Sequence, residues 1–296
     1  MAIRIGINPL TWTNDDMPEL GGDTPLETCL KEAKQAGYAG MELGNKFPRT
    51  PDTLGPVMKQ AGLAVVSGWY SSALLERTVE AEKDALEPHL HLLQSTGSDV
   101  LVLCETTAAV HGNKQAKLSA RPRLTEPQWK QLTERLNGLG AHTKARGIKL
   151  AYHHHMGTVV QTAEEIDRLM ASTGPDVWLL LDTGHITYAG GDPVACAKKH
   201  GARLAHVHTK DVRKAVLEQA LANDWPFLTA VLEGVFTVPG DGFIDYPRFF
   251  AELSAANYPG WLVVEAEQDP KKANPLKYAT MGFQNVSKYA AAAGMT

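Results

Sequence analysis

Short apolar runs alternate with longer amphipathic segments along almost the whole chain. Apolar runs this short, ended by turn residues, are typical of strands that are buried on both faces. The longer segments repeat apolar residues at helical spacing, and several begin with a Thr or Asp cap. The pattern predicts strands over residues 3–7, 38–43, 63–67, 99–104, 148–153, 177–182, 204–208 and 261–265. It predicts helices over residues 24–37, 53–60, 75–94, 125–146, 162–170, 192–200, 216–221, 245–256 and 275–292.

Eight strands that alternate with helices predict a parallel sheet with right-handed crossovers. Eight such units in 296 residues fit an α/β fold of the (β/α)₈ TIM barrel type, as a single domain over residues 1–296. A doubly wound open sheet is the alternative, but it usually carries a glycine-rich phosphate turn after its first strand. The residues that follow the first predicted strand, NPLTWTND, contain no such turn. A long excursion over about residues 212–243 interrupts the alternation before the last strand.

Side chains that bind metals or transfer protons stand at the ends of four predicted strands. The apolar run LLL leads into Asp182, with His185 after it, and a carboxylate there is costly to bury without a partner. Three other strands end at His153, His208 and Glu265. Because all barrel strands end at one rim, we expect these four side chains to be able to meet. Imidazole and carboxylate without thiolate suit Mn²⁺, Co²⁺, Zn²⁺ or Fe²⁺.

Each of these residues also has a structural explanation. An aspartate at a strand end often caps the following helix. A pair such as His206 and His208 is often structural, and the run His153–His155 can supply one ligand with two packed or solvated neighbours. A site is favoured because four separate strand ends carry such residues in a chain with only 11 histidines.

Charge and cysteine content narrow the choice of partners and compartment. The formal net charge is −4 without a basic block, which argues against a nucleic-acid partner bound through its phosphates. The three cysteines are far apart and odd in number, so they favour a reducing compartment over a disulfide framework. No apolar run is long enough for a signal peptide or a membrane span. We therefore expect a cytoplasmic protein with no membrane partner, and a homo-oligomer stays open.

The motifs LLLDTGH, HVHTKD and VVEAEQDP resemble those of the sugar-isomerase and endonuclease-IV-like barrel superfamily. Other motifs, including GINPLTWTND, SGWYSS, AYHHHMGTVVQT and VFTVPGDG, strongly resemble the myo-inosose-2 dehydratase family of inositol catabolism. The second resemblance covers essentially the whole chain. It implies a xylose-isomerase-like TIM barrel in which four side chains from the last four strands bind a divalent metal.

The resemblance implies that Asp182, His208 and Glu265 bind this metal. The superfamily usually has Glu as the ligand in the fifth strand, whereas this chain has His153 there. Either His153 binds the metal or three side chains and water do. The family implies Mn²⁺ or Co²⁺, and glutathione is implied by the resemblance alone.

The implied reaction removes water from a polyol ketone, 2-keto-myo-inositol (scyllo-inosose), and gives 3D-trihydroxycyclohexane-1,2-dione. A metal on the ketone oxygen would stabilise the enolate, while a base and an acid on the rim transfer protons. The candidates for proton transfer are His155, His185 and Glu105. The candidates for substrate binding are Trp12, Lys46, Trp69, Lys210 and Glu267.

Two other functions stay open. A ketose or polyol epimerase or isomerase on the same metal barrel would share the enolate step but return the proton to carbon. Glu at position 153 would have favoured that function, and His153 weighs against it. A non-catalytic polyol-binding protein that retains the barrel is the third hypothesis.

Overall fold

The computed structural model describes residues 3–295. The strands are β1 (Arg4–Ile7), β2 (Gly40–Leu43), β3 (Ala64–Ser72), β4 (Val100–Glu105), β5 (Lys149–His153), β6 (Val177–Asp182), β7 (Leu204–Thr209), β8 (Asp211–Val212), β9 (Phe236–Thr237) and β10 (Trp261–Val264). The α-helices are α1 (Leu26–Ala36), α2 (Pro51–Ala61), α3 (Val79–Ser95), α4 (Glu126–Ala145), α5 (Ala163–Ser172), α6 (Thr183–Tyr188), α7 (Pro193–His200), α8 (Lys214–Ala222), α9 (Phe227–Leu232), α10 (Tyr246–Ala255) and α11 (Pro275–Ala292). Among the described residues, no helix combines the length and the apolar character that crossing a membrane requires.

Eight of these strands form a closed parallel barrel, which confirms the predicted (β/α)₈ fold. Their order around the ring is β1-β10-β7-β6-β5-β4-β3-β2. Strand β1 pairs with β10 on one side and with β2 on the other, and these two pairings close the ring. Strands β8 and β9 form a separate antiparallel hairpin within the long excursion.

Side chains along each barrel strand alternate between two apolar layers. Leu179 and Leu181 belong to the large core between strands and helices. Leu180 lies in a smaller cluster inside the barrel, together with Ala151 of β5. Since strand side chains alternate with a period of two, Asp182 lies on the inner side, beyond Leu180.

Helix α6 begins directly after β6, where the sequence analysis predicts no helix. Asp182 Oδ1 accepts a hydrogen bond of 2.8 Å from the backbone N–H of His185 and so caps α6. The structural explanation for Asp182 is therefore correct for one of its two carboxylate oxygens. The predicted cap of α5 is confirmed, because Thr162 and Glu165 form a reciprocal capping box.

The excursion contains two helices, α8 and α9, where the sequence analysis predicts one. The Asp211 carboxylate anchors it by accepting hydrogen bonds from four backbone N–H groups at 2.9–3.1 Å, those of Val212, Gly240, Gly242 and Ile244. Glycine is required at 242, because a Cβ there would lie 2.2 Å from Asp211 Oδ1. The anchored excursion packs its Phe side chains against the carboxyl end of the barrel.

We expect Asp211→Ala to lower the free energy of unfolding by about 2–4 kcal/mol, because four backbone N–H groups lose a charged acceptor. Urea denaturation followed by circular dichroism measures the change. Asp23→Ala is the matched control, since Asp23 is exposed and its loss should change stability by less than about 0.5 kcal/mol. Equal stabilities for the two variants would contradict the anchoring role.

Candidate active site

Four buried side chains meet at the carboxyl end of the barrel, namely His153, Asp182, His208 and Glu265. One ligand atom from each lies within 4.8 Å of the other three. His208 Nδ1 is 2.9 Å from Glu265 Oε2 and 3.5 Å from Asp182 Oδ2. His153 Nε2 is 3.8 Å from Asp182 Oδ2. The structure thus brings together the four residues that the sequence analysis selects as metal ligands, and we name them the four-donor cluster.

Strand alternation points the His153 and Glu265 side chains to the inner side of the barrel, as it does that of Asp182. His153 follows Ala151 by two residues, and Glu265 follows Val263 by two, and both earlier residues pack inside the barrel. In β7, a bulge is needed to point the His208 side chain to the inner side of the barrel. Its pairing with β6 skips Ala205, so that His206 faces Leu180 and His208 faces Asp182.

In the described part of the chain, two atoms of the four-donor cluster lack hydrogen-bond partners, as expected of atoms that bind a divalent cation. Within residues 3–295, neither Asp182 Oδ2 nor His208 Nδ1 has a hydrogen-bond partner, although both atoms are buried. Leaving such atoms buried without a partner is costly. The short distance from His208 Nδ1 to Glu265 Oε2 comes without hydrogen-bond geometry, as expected when two atoms point at a common centre. Two carboxylates and two imidazoles suit a borderline divalent metal.

The ring nitrogens of the two histidines are set by their other contacts. His153 Nδ1 lies 2.6 Å from the carbonyl oxygen of His154, which can only accept, so Nε2 carries the lone pair. Burial, with the neighbouring His208 and His155 charges, holds the pKa of His153 well below its ordinary value. His153 is therefore neutral and able to bind a metal.

Glu42 orients His208 from below the cluster. Its Oε1 accepts from Nε2 of His208 at 3.1 Å and from Nε2 of His206 at 2.8 Å. Burial alone would raise the pKa of Glu42, but the charges and hydrogen bonds of these two histidines outweigh it and hold the pKa well below its ordinary value. Asn8 Nδ2 donates to Glu42 and Glu265 at 2.7 and 3.0 Å. With Nε2 held by Glu42, His208 presents Nδ1 to the cluster.

Lys210 brings a fixed positive charge beside the cluster. Its fully buried Nζ donates to Glu267 Oε1 at 2.7 Å and to His185 Nε2 at 3.0 Å, and it forms an ion pair with Glu265. Burial would lower the pKa of Lys210, but the Asp182, Glu265 and Glu267 carboxylates outweigh it and raise the pKa. Lys210 therefore stays charged.

A polar cavity of about 250 Å³ opens above the four-donor cluster. This volume is below the range of about 300–1,000 Å³ for drug-sized ligands, so the cavity suits a small molecule. Trp69, His111, His155 and Glu267 line it, as do His153, His208 and Glu265. Trp69 is 36% exposed and stands edge-on to the rings of His153 and His155, with centroids 5.4 and 5.6 Å away.

Three predicted site residues lie away from the cavity and make structural contacts instead. Glu105 accepts from the Ser72 hydroxyl at 2.8 Å and from the backbone N–H of Leu74 at 2.6 Å. Trp12 is buried and donates to Glu32 at 2.6 Å. Lys46 donates to the backbone oxygens of Gly21, Gly22 and Thr24 at 2.5–3.1 Å. The sequence predicts proton transfer by Glu105 and substrate contact by Trp12 and Lys46, but in the structure all three bind neighbouring loops and helices.

His185 lies behind Lys210 rather than on the cavity wall. Its ring packs against Phe227 and Phe236 of the excursion, with centroids 5.8 and 5.2 Å away. Burial, with the neighbouring His155 and Lys210 charges, holds the pKa of His185 well below its ordinary value. A neutral His185 is an acceptor for the Lys210 ammonium and holds it in place.

Two residues at the site, Asn8 and His111, are not among those that the sequence predicts. Asn8 directly follows β1, so a strand-end polar residue was its available signal. His111 lies in the loop after β4, and its ring is 4.9 Å from that of His155. A loop residue has no periodicity that could indicate where its side chain points.

A model of the family described as "xylose isomerase-like TIM barrel" matches residues 30–284. The rhizopine catabolism protein MocC of Rhizobium meliloti is 52% identical, over 99% of this chain and 90% of its own length. Inosose dehydratase of Geobacillus thermodenitrificans (strain NG80-2) is 44% identical, over 96% of each chain. The solved structure of the IOLI protein with a bound zinc atom has a TM-score of 0.70 at 15% identity, over 99% of this chain and 98% of its own. The chain belongs to the xylose isomerase-like TIM barrel family and, within it, to the group that includes the inosose dehydratases.

We expect His153→Ala to weaken Mn²⁺ binding by more than about 100-fold, since loss of a direct ligand should exceed the effect of an outer partner. Competition with a fluorescent chelator measures the affinity. His111→Ala is the matched control, because His111 lines the same cavity outside the four-donor cluster. Equal Mn²⁺ affinities for the two variants would leave three protein ligands and refute binding by His153.

Proposed function

We propose that this member of the xylose isomerase-like TIM barrel family is a divalent-metal-dependent dehydratase that removes water from scyllo-inosose. The observation that carries the proposal is the four-donor cluster below a small polar cavity, in a chain 44% identical to an inosose dehydratase. The zinc atom in the IOLI protein supports a metal on this fold. The solved epimerases with this fold are below 25% identity and favour no epimerase function here.

His153, Asp182, His208 and Glu265 would hold Mn²⁺ or Co²⁺. Such an ion supplies Lewis acidity at a ketone oxygen, which lowers the cost of removing a proton from the neighbouring carbon. Glu42 orients the His208 ring and the His154 carbonyl orients the His153 ring. The ligand nitrogens of both histidines are therefore in place before substrate binds. Lys210 adds a fixed positive charge that favours negative charge developing on the substrate.

His155 is the side chain best placed to move protons. It lines the cavity, and its Nδ1 lies 2.8 Å from the Met156 carbonyl oxygen, which leaves a lone pair on Nε2. Nε2 takes the proton from the carbon next to the ketone and returns it to the departing hydroxyl, so that the two leave as water. Trp69 forms the adjacent wall, where an apolar C–H face of the substrate ring can rest.

A second candidate is a step in the catabolism of rhizopine. It is favoured by the 52% identity to MocC, which exceeds the identity to the inosose dehydratase cited above. Offering rhizopine and scyllo-inosose to the same preparation separates the two candidates, because the true substrate should turn over at the lower concentration.

We expect the Mn²⁺-loaded protein to convert scyllo-inosose into a product that has lost one water and absorbs as a conjugated enol. Ultraviolet absorbance and mass spectrometry measure the product, with and without glutathione. Chelator should reduce turnover by at least about 100-fold, because a Lewis acid contributes several kcal/mol, and added Mn²⁺ should restore it. An isomeric ketone of unchanged mass would instead establish an epimerase.

We expect His155→Ala to lower kcat by about 10²–10⁴-fold, the usual contribution of a general acid–base group, while KM changes little. Steady-state kinetics on scyllo-inosose measures both constants. Glu105→Gln is the matched control, since Glu105 binds Ser72 and backbone groups away from the cavity and should retain kcat within several-fold. A larger loss in Glu105→Gln than in His155→Ala would reverse these roles.

A further inference from the structure

The Lys210 ammonium sits among atoms that could equally bind a metal ion. Its Nζ contacts Glu267 Oε1 at 2.7 Å, His185 Nε2 at 3.0 Å and Asp182 Oδ2 at 3.5 Å, and it pairs with Glu265 Oε1. These are three carboxylate oxygens and one imidazole nitrogen around a single positive centre. The same kinds of atom make up the four-donor cluster.

Glu265 faces both positions, one with each of its oxygens. Oε2 is 2.9 Å from His208 Nδ1, inside the four-donor cluster, whereas Oε1 pairs with Lys210 Nζ. A carboxylate that bridges two cations presents one oxygen to each in this way. His155, His185 and Glu267 form a second donor set whose ligand atoms all lie within 4.8 Å of one another, and two of its members contact Lys210 Nζ.

We propose that Lys210 occupies the second cation position of a two-cation centre, so that the protein binds one metal ion where its donors could bind two. The inference rests on the proposed function, because the first ion is the metal of that reaction. The charges support it. Asp182, Glu265 and Glu267 carry three negative charges when ionised, which one divalent ion and one ammonium neutralise.

Removing the ammonium leaves donors that a second ion would satisfy. Without Lys210, the buried oxygens Glu267 Oε1 and Glu265 Oε1 lose the positive charge that they contact. His185 Nε2 loses its hydrogen-bond donor and has a free lone pair. A second divalent ion would replace the lost charge and gain His155 Nε2 as a further donor.

The test is the number of Mn²⁺ ions bound per chain, measured by elemental analysis after saturation and dialysis. We expect one ion in the wild type and two in Lys210→Ala. Electron paramagnetic resonance should show a spin-coupled Mn²⁺ pair in the variant alone, since a bridging carboxylate couples the two ions. Lys210→Ala/Glu267→Ala, which also removes the Glu267 carboxylate as a donor of the second position, should return to one ion. Lys46→Ala is the lysine control and should bind one, because Lys46 Nζ donates to backbone oxygens of the loop between β1 and α1 and not to the donors around Lys210.

One ion in both the wild type and Lys210→Ala would overturn this inference and leave the proposed function intact. Two ions in the wild type would also overturn it, because the lysine would then not exclude the second ion. No bound ion in the wild type would remove the metal from the proposed function and this inference with it. If Lys210→Ala does not fold, Lys210→Met, which keeps the side-chain volume without the charge, carries the same measurement.

Discussion

The burial of negative charge at the end of the barrel is the constraint on which the site depends. Asp182, Glu265 and Glu267 are 0–4% exposed, and carboxylates this deeply buried need positive or hydrogen-bonding partners close by. Lys210 contacts all three. Of the other oxygens, Asp182 Oδ1 accepts the hydrogen bond that caps α6, and Glu265 Oε2 lies beside the His208 imidazole. Stability and reactivity therefore draw on the same few atoms.

The closed barrel makes this concentration of charge possible. Parallel strands end at one rim, and a period of two decides which side chains point inward. Strand β7 shows that the register of a single strand determines which side chains point inward. Ala205 lies inside the barrel, so strict alternation from it would point Val207 inward. The bulge at Ala205 resets the alternation, puts Val207 in the outer core and sets His208 opposite Asp182. A single inserted residue thus decides whether the cluster forms.

The sequence predicts the parts of this site that regular strands control. Buried runs ending in His, Asp, His and Glu led to the barrel and to the four-donor cluster, because strand ends in a barrel converge whatever the loops do. Glu105 and Lys46 are candidates because they stand at or after strand ends, and Trp12 because its ring could line the substrate. All three instead make hydrogen bonds to neighbouring loops and helices that no local pattern encodes. His111 could not be predicted, because it lies in the loop after β4 and not at a strand end, yet its side chain lines the cavity.

His153 and Lys210 both limit the net negative charge of the site. The superfamily resemblance leads one to expect Glu at 153, and a carboxylate there would add a fourth negative charge beside Asp182, Glu265 and Glu267. One divalent ion and the fixed ammonium together would then leave one negative charge unbalanced. With neutral His153, the three carboxylates that contact Lys210 would be balanced by its ammonium and one divalent ion. A neutral imidazole would also donate less charge to that ion than a carboxylate. A metal held this way would keep more of its Lewis acidity, which the proposed removal of a proton next to a ketone would use.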